Sequence, residues 1–329
     1  MRQSPPLAAA VIGLGSMGMN HVRIYSEIEG VHLVATADIS PERRRLAAEG
    51  RDARVYDDYR RLLAEERIDL LSVCVPTLLH LEVALAAIEK GIPLLVEKPI
   101  AASLDEGRVM MEAAQRAGVS LMIGHVERFN PAVLELKRRL QKGELGRVFQ
   151  VYARRTGPFP QRVRDVGVVH DLAPHDIDIM RFLLDSEVDR VYAETEQRIS
   201  TEHEDMLSGL LRFRNGVVGV LEVNWLTPIK IRQLSVLGEK GLFTIDYLNQ
   251  DLLFYPKEAA NATTLPTQYP IQKREPLQVE LEAFADTVRT GDPPPVGPEE
   301  GLAALEVASL LVESARTSRP LSREVSHER

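Results

Sequence analysis

The chain is poor in cysteine, with one, Cys74, in 329 residues. No intramolecular disulfide can form, and a reducing compartment suits a lone thiol placed in the apolar run "IDLLSVCVP", where a buried strand residue is expected. Long apolar runs are missing as well. His80, Glu82, Glu89 and Lys90 interrupt the longest candidate, so no stretch reaches the roughly 18 uncharged apolar residues that a membrane span needs. Positive charge is not in excess either: 40 basic against 48 acidic residues leave a net charge of -8. That removes the attraction on which nucleic-acid binders depend, and neither nucleic acid nor a membrane is an expected partner. Internal repeats are absent, and "DPPPVGP" is the only biased tract.

What is present reads as a folded protein of two domains. At 329 residues the chain exceeds one typical core, and 44% hydrophobic with 27% charged residues disfavour disorder. The start, "MRQSPPLAAAVIGLGSMG", has the basic residue, apolar run and small residues of a leader, but the run leads directly into a glycine pattern, so a cytoplasmic protein is expected. From Leu7 to about Ile123, apolar runs ("LAAAVIG", "HLVATAD", "IDLLSVCVP", "PLLVEKP", "VSLMIG") alternate with amphipathic stretches, two of which close at Gly91 and Gly118. This predicts an α/β fold with a doubly wound parallel sheet over residues 1–124. Residues 125–329 change rhythm. A helix capped by Asn130 with Pro131 at its first position precedes six strand-like runs, a helix at 171 to 184 and two closing helices. Hairpin signals at Asn215-Gly216 and Glu239-Lys240 make that second sheet largely antiparallel and open-faced, a surface on which a partner subunit is expected.

Gly13, Gly15 and Gly18 form G-x-G-x-x-G between a strand and a helix. The first permits a tight turn, the second lets a pyrophosphate reach the backbone, and the third lets helix and strand pack closely. Leu14, Ser16 and Met17 complete that turn, and the helix N-terminus behind it offers N–H groups and a positive dipole end to phosphates. Asp38, 20 residues beyond Gly18, stands where a carboxylate accepts from an adenosine ribose. Its charge favours NAD, while Ser40, Arg43 and Arg44 leave NADP open. At the same sheet edge, "VPTLLH" supplies Val75, Pro76, Thr77 and His80 as a nicotinamide lining, and "VEKP" places Glu97 and Lys98 at a strand end. Pro99 biases Lys98 away from helical geometry and so helps fix where the lysine emerges.

The stretch "GVVHDLAPHDIDIMRFL" crowds two His-Asp pairs and a third Asp onto an apolar helix. With the helix starting near Leu172, Asp171, His175 and Asp178 stand at i, i+4 and i+7 on one face, while Ala173, Ile177, Met180 and Leu184 fall on another. A metal pair is disfavoured because His170 and His175 are roughly 140° apart around the axis. Two readings stay open. Asp171 can cap the helix, although Pro174 would sit at its third position without an N–H, or the stripe can move a proton, since a histidine titrates near neutrality and a carboxylate one turn away can orient it.

"GLGSMG", "VPTLLH", "VEKP" and "GVVHDLAPHDIDIMRFL" together resemble the glucose-fructose oxidoreductase, inositol dehydrogenase and MocA family over nearly the whole chain. The resemblance implies an N-terminal Rossmann domain, a C-terminal open-faced α/β domain, catalytic roles for Lys98, Asp171 and His175, and assembly as a homodimer or homotetramer through the open sheet. The family often carries glycines before the Asp, whereas this chain has His170 there and Pro174 after it. With "IGHVERFNPAV" and "NWLTPIKIRQLSVLGEKGLFTIDYLNQDL", these residues are similar to the branch that oxidises UDP-N-acetylglucosamine at its 3-hydroxyl. A pyrophosphate needs donors and positive charge. "ARRTGPFPQRVRD" supplies Arg154, Arg155, Arg162 and Arg164, and Arg128, His170, Trp225 and Lys230 complete the expected substrate contacts. The alternatives are a dehydrogenase of a free polyol or monosaccharide such as inositol, and a non-catalytic NAD-binding regulator.

Overall fold

The computed structural model describes residues 5–160, 166–199, 202–257 and 265–323. They form two compact units, Met1–Val126 with Glu275–Leu302, and Glu127–Arg274 with Ala303–Arg329. The division corrects one expectation. Residues 275–302 belong with the first unit, so the part of the chain after residue 124 is not one domain.

The first unit is a six-stranded parallel sheet. Its elements are β1 (Leu7–Ile12), α1 (Ser16–Tyr25), β2 (Val31–Ala37), α2 (Pro41–Ala48), β3 (Arg54–Tyr56), α3 (Tyr59–Glu65), β4 (Leu70–Val73), α4 (His80–Glu89), β5 (Leu94–Glu97), α5 (Leu104–Ala117) and β6 (Leu121–Gly124). The strand order β3-β2-β1-β4-β5-β6 reverses direction between β1 and β4. Ligands of such sheets bind at the carboxyl ends beside that reversal, which here means the residues after Ile12 and Val73. All four residues of β4, β5 and β6 are buried, which is why these runs read as continuous apolar stretches without alternation. Helix ends follow local chemistry. Ser103 accepts from the Glu106 amide at 3.2 Å to start α5, and Gly118 ends it in the left-handed region at φ 64°. Neither β3 nor α3 was expected from sequence, because three residues and a charge-rich "YRRLLAE" carry too little periodicity.

The second unit holds α6 (Pro131–Gln141), β7 (Val148–Pro158), α7 (Val168–Leu184), β8 (Val188–Glu196), β9 (Met206–Phe213), β10 (Val218–Asn224), β11 (Leu226–Gly238), β12 (Gly241–Asp246), β13 (Asp251–Pro256) and β14 (Thr267–Tyr269). The closing helices α8 (Pro276–Thr290) and α9 (Pro298–Thr317) and the short β15 (Leu321–Ser322) follow. Within the first unit α8 packs on α1, joined by an Arg23–Glu275 ion pair at 2.5 Å and by Arg289 donating to the Gly30 carbonyl at 2.9 Å. Burial of Leu281 and Phe284 of α8 stabilises the fold by about 1.5–3 kcal/mol each.

The second sheet has nine strands in the order β14-β13-β12-β11-β7-β10-β9-β8-β15, against the six read from sequence. It is antiparallel throughout except where β10 runs parallel to β7. The Asn215-Gly216 turn joins β9 to β10 and the Glu239-Lys240 turn joins β11 to β12, with Gly216 at φ 87° where a side chain would be strained. Strict alternation sends Leu207, Leu211 and Phe213 of β9 into the core with Val151, Ala173, Ile177 and Val236. The opposite face carries Leu210, Leu237 and Tyr255, all exposed.

Candidate active site

In the first unit the glycine turn has the geometry its spacing predicts. Gly13 sits at φ 90°, and a Cβ there would lie 2.6 Å from the Cys74 carbonyl carbon. A Cβ on Gly18 would fall 1.8 Å from the Gly13 oxygen. Around Gly15, by contrast, a Cβ would meet nothing within 4 Å. The turn is therefore closed on the sheet side and open where an anion would approach. Gly15 caps α1 without a side chain, and the first turn of α1, which includes Ser16 and Met17, holds no acid. Its positive end is left for a phosphate. These features fit a dinucleotide.

Asp38 also serves the turn itself. Its Oδ2 accepts from the Leu14 amide at 2.7 Å and its Oδ1 from the Ser40 amide at 2.8 Å, and Arg43 lies 3.6 Å away. Arg44 is turned onto the carbonyls of Asp38 and Ile39. The two arginines that left a ribose phosphate open thus face Asp38 and its own backbone.

Two expected cofactor contacts are corrected. His80 is 1% exposed, and its ring nitrogens face the carbonyls of Pro99 at 2.9 Å and Val75 at 3.0 Å. It ties together the loops after β4 and β5 from within, and burial pushes its pKa down against the raising effect of those carbonyls. Glu97 is also buried, with Oε1 2.9 Å from His21 Nε2, while His21 Nδ1 meets the Ser72 hydroxyl at 2.9 Å. Burial alone would raise its carboxyl; the His21 hydrogen bond and the charges of His21 and Lys98 outweigh this and hold it below the usual range. Both groups are framework. At the sheet edge Pro76 is exposed and Val75 and Thr77 keep partial exposure, as does Lys98, whose amide donates to Glu97 at 3.3 Å. His21, three residues after Gly18, went unread because only its partners reveal it.

In the second unit α7 begins at Val168, not near Leu172, with Gly167 as its N-cap. The cap is supplied from afar. Glu204 accepts from the Val169 amide through Oε1 at 3.2 Å, and its own carbonyl accepts from Val168 at 3.0 Å. Asp171 is therefore not the N-cap, and Pro174 lies inside the helix. From Val168 to Met180 only His170, Asp171 and His175 escape burial. Asp171 and His175 are one turn apart on the same face, about 6 Å along the axis.

Asp178, expected on that stripe, is buried instead. It takes Nε and Nη2 of Arg128 at 2.6 Å each. Asp176 takes Arg155 the same way, at 2.6 and 3.1 Å, and Glu127 takes the third nitrogen of Arg155 at 3.1 Å. Burial would lower the Arg155 pKa, and the charges of Asp176 and Glu127 hold it up. Arg128 and Arg155, expected on substrate, are thus occupied by carboxylates and belong to the framework. Trp225 is corrected too: it is 3% exposed, packed edge-on against Phe159 at 5.3 Å. Lys230 is exposed on β11. His170 is half-buried, and burial lowers its pKa against the field of Glu204. Arg154 pairs with Glu222 at 3.2 Å, and Arg162 and Arg164 lie outside the described residues. Arg232 was not anticipated. Only the register of β11 on β7 puts it opposite Arg155. Among the described residues no group of three or more His, Cys, Asp or Glu is arranged to hold a metal ion.

Comparison with known proteins places two models of one family on the chain. Residues 7–125 match the family model described as an oxidoreductase family with an NAD-binding Rossmann fold, and residues 133–244 match the GFO/IDH/MocA C-terminal domain. The chain is 28% identical over 291 residues to UDP-N-acetylglucosamine 3-dehydrogenase of Acidithiobacillus ferrooxidans, covering 87% of this chain and 90% of that one. It is 27% identical over 329 residues to scyllo-inositol 2-dehydrogenase (NAD(+)) of Bacillus subtilis, covering 96% of each. A solved structure of the Acidithiobacillus enzyme superposes with a TM-score of 0.85 at 26% identity, covering 95% of this chain and 99% of that one. The chain belongs to the Gfo/Idh/MocA family of NAD-binding oxidoreductases, dehydrogenases that act on the CH–OH groups of sugars, with NAD as its cofactor.

Proposed function

We propose that the chain oxidises a secondary hydroxyl of a nucleotide sugar, with the 3-hydroxyl of UDP-N-acetylglucosamine as the best candidate. The observation that carries this reading is the exposure pattern of α7, where Asp171 and His175 keep partial exposure while the neighbouring Asp176 and Asp178 are neutralised by buried arginines. The likeness to the Acidithiobacillus enzyme supports the substrate. Oxidation of a secondary alcohol removes a hydride from carbon and a proton from oxygen. Bound NAD supplies the hydride acceptor. His175 takes the hydroxyl proton, Asp171 on the preceding turn orients the imidazole, and Lys98 hydrogen-bonds the reacting oxygen and stabilises the negative charge it gains. Gly13 to Gly18 hold the pyrophosphate of the cofactor, with Asp38 at its ribose.

Replacing Lys98 by Met should abolish NADH formation, by about 10²–10⁴-fold or more, while calorimetry shows NAD binding unchanged. Near-normal turnover of K98M would overturn the assignment.

A second reading, oxidation of a phosphate-free polyol such as an inositol, is favoured by the occupation of Arg128 and Arg155 by carboxylates. NADH formation with inositols and none with UDP-N-acetylglucosamine selects it. Assembly as a homodimer or homotetramer through the open face of the second sheet accompanies either reading, supported by exposed Leu210, Leu237 and Tyr255 on that face. A solution mass of one chain would remove it.

A further inference from the structure

Among the described residues of the second unit, Arg128, Arg139, Arg155, Arg181 and Arg323 are drawn inward and each is closed by a carboxylate. Arg128 forks onto Asp178, Arg155 onto Asp176 and Glu127, and Arg181 onto Glu187. Arg232 is the exception. Its Nη1 donates to the carbonyls of Thr156 at 2.6 Å and Ile231 at 2.8 Å. Among the described residues no acceptor meets its Nε or Nη2, and no carboxylate is in ion-pair contact with it.

Its place in the sheet is well defined. The β11–β7 register sets Arg232 directly opposite Arg155, so both side chains leave the same face, the one on which Arg155 reaches Asp176 of α7. Leu234 and Val236, two and four residues on, are buried on that face. Arg232 itself is half-buried and lies within the fields of Asp176, Glu127 and, most weakly, Asp171. A guanidinium in such a position loses hydration and, next to another arginine, gains repulsion; a fork with two unused donors is a recognition group for a planar or tetrahedral anion. Burial first, and then the Arg155 charge, push its pKa down to about 10, against the raising fields of Asp176, Glu127 and Asp171.

We infer that Arg232 anchors an anionic group of the substrate, a phosphate or a carboxylate, and so sets the specificity of the Asp171–His175 stripe for charged over neutral sugars. The inference rests on the sugar-dehydrogenase reading and deepens it. Two sources share this chemistry, the pyrophosphate of a nucleotide sugar and the carboxylate of a sugar acid.

The test uses NAD-loaded full-length protein, with UDP-N-acetylglucosamine, D-glucuronate and myo-inositol as probes. Calorimetry reads binding, and NADH formation reads turnover. One anionic probe should bind the wild type, and its identity names the source. In Arg232→Gln its Kd and KM should rise at least tenfold with kcat within about twofold, Arg232→Lys should recover part of the loss, and any myo-inositol turnover should stay unchanged. Equal binding in wild type and R232Q, or binding of myo-inositol alone, overturns the anchor. If R232Q fails to fold, R232K decides, since an unchanged Kd there also overturns it. Anion binding that depends on Arg232 with no NADH from any probe leaves the anchor standing and sinks the dehydrogenase substrate instead.

Discussion

The glycine turn of the first unit and the α7 face of the second are built on opposite principles. The turn is made by absence and by neighbours in sequence. Gly13, Gly15 and Gly18 shape it because they lack side chains, and Asp38 at the next strand end clamps it through the Leu14 amide. The α7 face is made by long-range charge. Its cap comes from Glu204, and two of its acids, Asp178 and Asp176, are neutralised by Arg128 and Arg155, none of these three partners being on the helix. A site of the first kind survives many substitutions outside its motif. A site of the second kind fails when a distant partner is lost.

Breaking a distant partner should therefore be the more damaging operation. Asp176→Asn leaves a buried Arg155 with Glu127 as its remaining partner, and should destabilise the protein by about 3–5 kcal/mol in urea unfolding. A loss below about 1 kcal/mol would mean that the ion pair is not what holds this face. On the other side of the comparison, Gly18→Ala puts a methyl against the Gly13 carbonyl and should cost about 1–3 kcal/mol or more together with NAD affinity. Gly15→Ala, with open space around it, should leave stability nearly unchanged and weaken NAD binding alone. Equal unfolding midpoints for the two variants would refute the division of roles within the turn.

Smaller effects sharpen the contrast. Glu204→Gln removes a charge at the N-terminus of α7 and should cost about 1 kcal/mol, whereas Asp171→Asn should leave stability almost unaltered while lowering turnover. The reverse order would restore Asp171 as the structural acid. The smallest effect is in pH. His80 and His170 have pKa values lowered by burial, so the unfolded chain binds their protons more tightly. Their contribution is whole above the unfolded value of about 6.5 and is lost as pH falls through the folded values. Glu97, also lowered, acts in a separate window below its ordinary 4.5. Stability curves of His80→Gln should be flatter than wild type just below neutrality, and an unchanged slope there would deny His80 its buried neutral state.

Legibility follows the same split. Most strands and helices around the glycine turn were readable because they carry their own signal, apolar runs alternating with amphipathic stretches that close at Gly91 and Gly118. The boundary was not. Residues 275–302 return to the first unit because α8 packs its apolar face on α1, and nothing in the local sequence says which of two cores will receive an amphipathic helix. At α7 the i, i+4 relation of Asp171 and His175 was legible from helical period alone. The fate of Asp178, at i+7, was not, because period places a side chain on a face but not against a partner.

Sequence by itself determined the things that short-range sterics and periodicity control, namely the dinucleotide turn, the strand-end Lys98, the Asp171–His175 spacing and membership of an NAD-binding fold. Tertiary structure alone decided which charges remain available. It turned Arg128, Arg155, His80 and Glu97 into framework and left Arg232 with open donors, because an ionic side chain's role is set by whether a counter-charge reaches it across the fold, and that partner can come from any strand or helix in the unit.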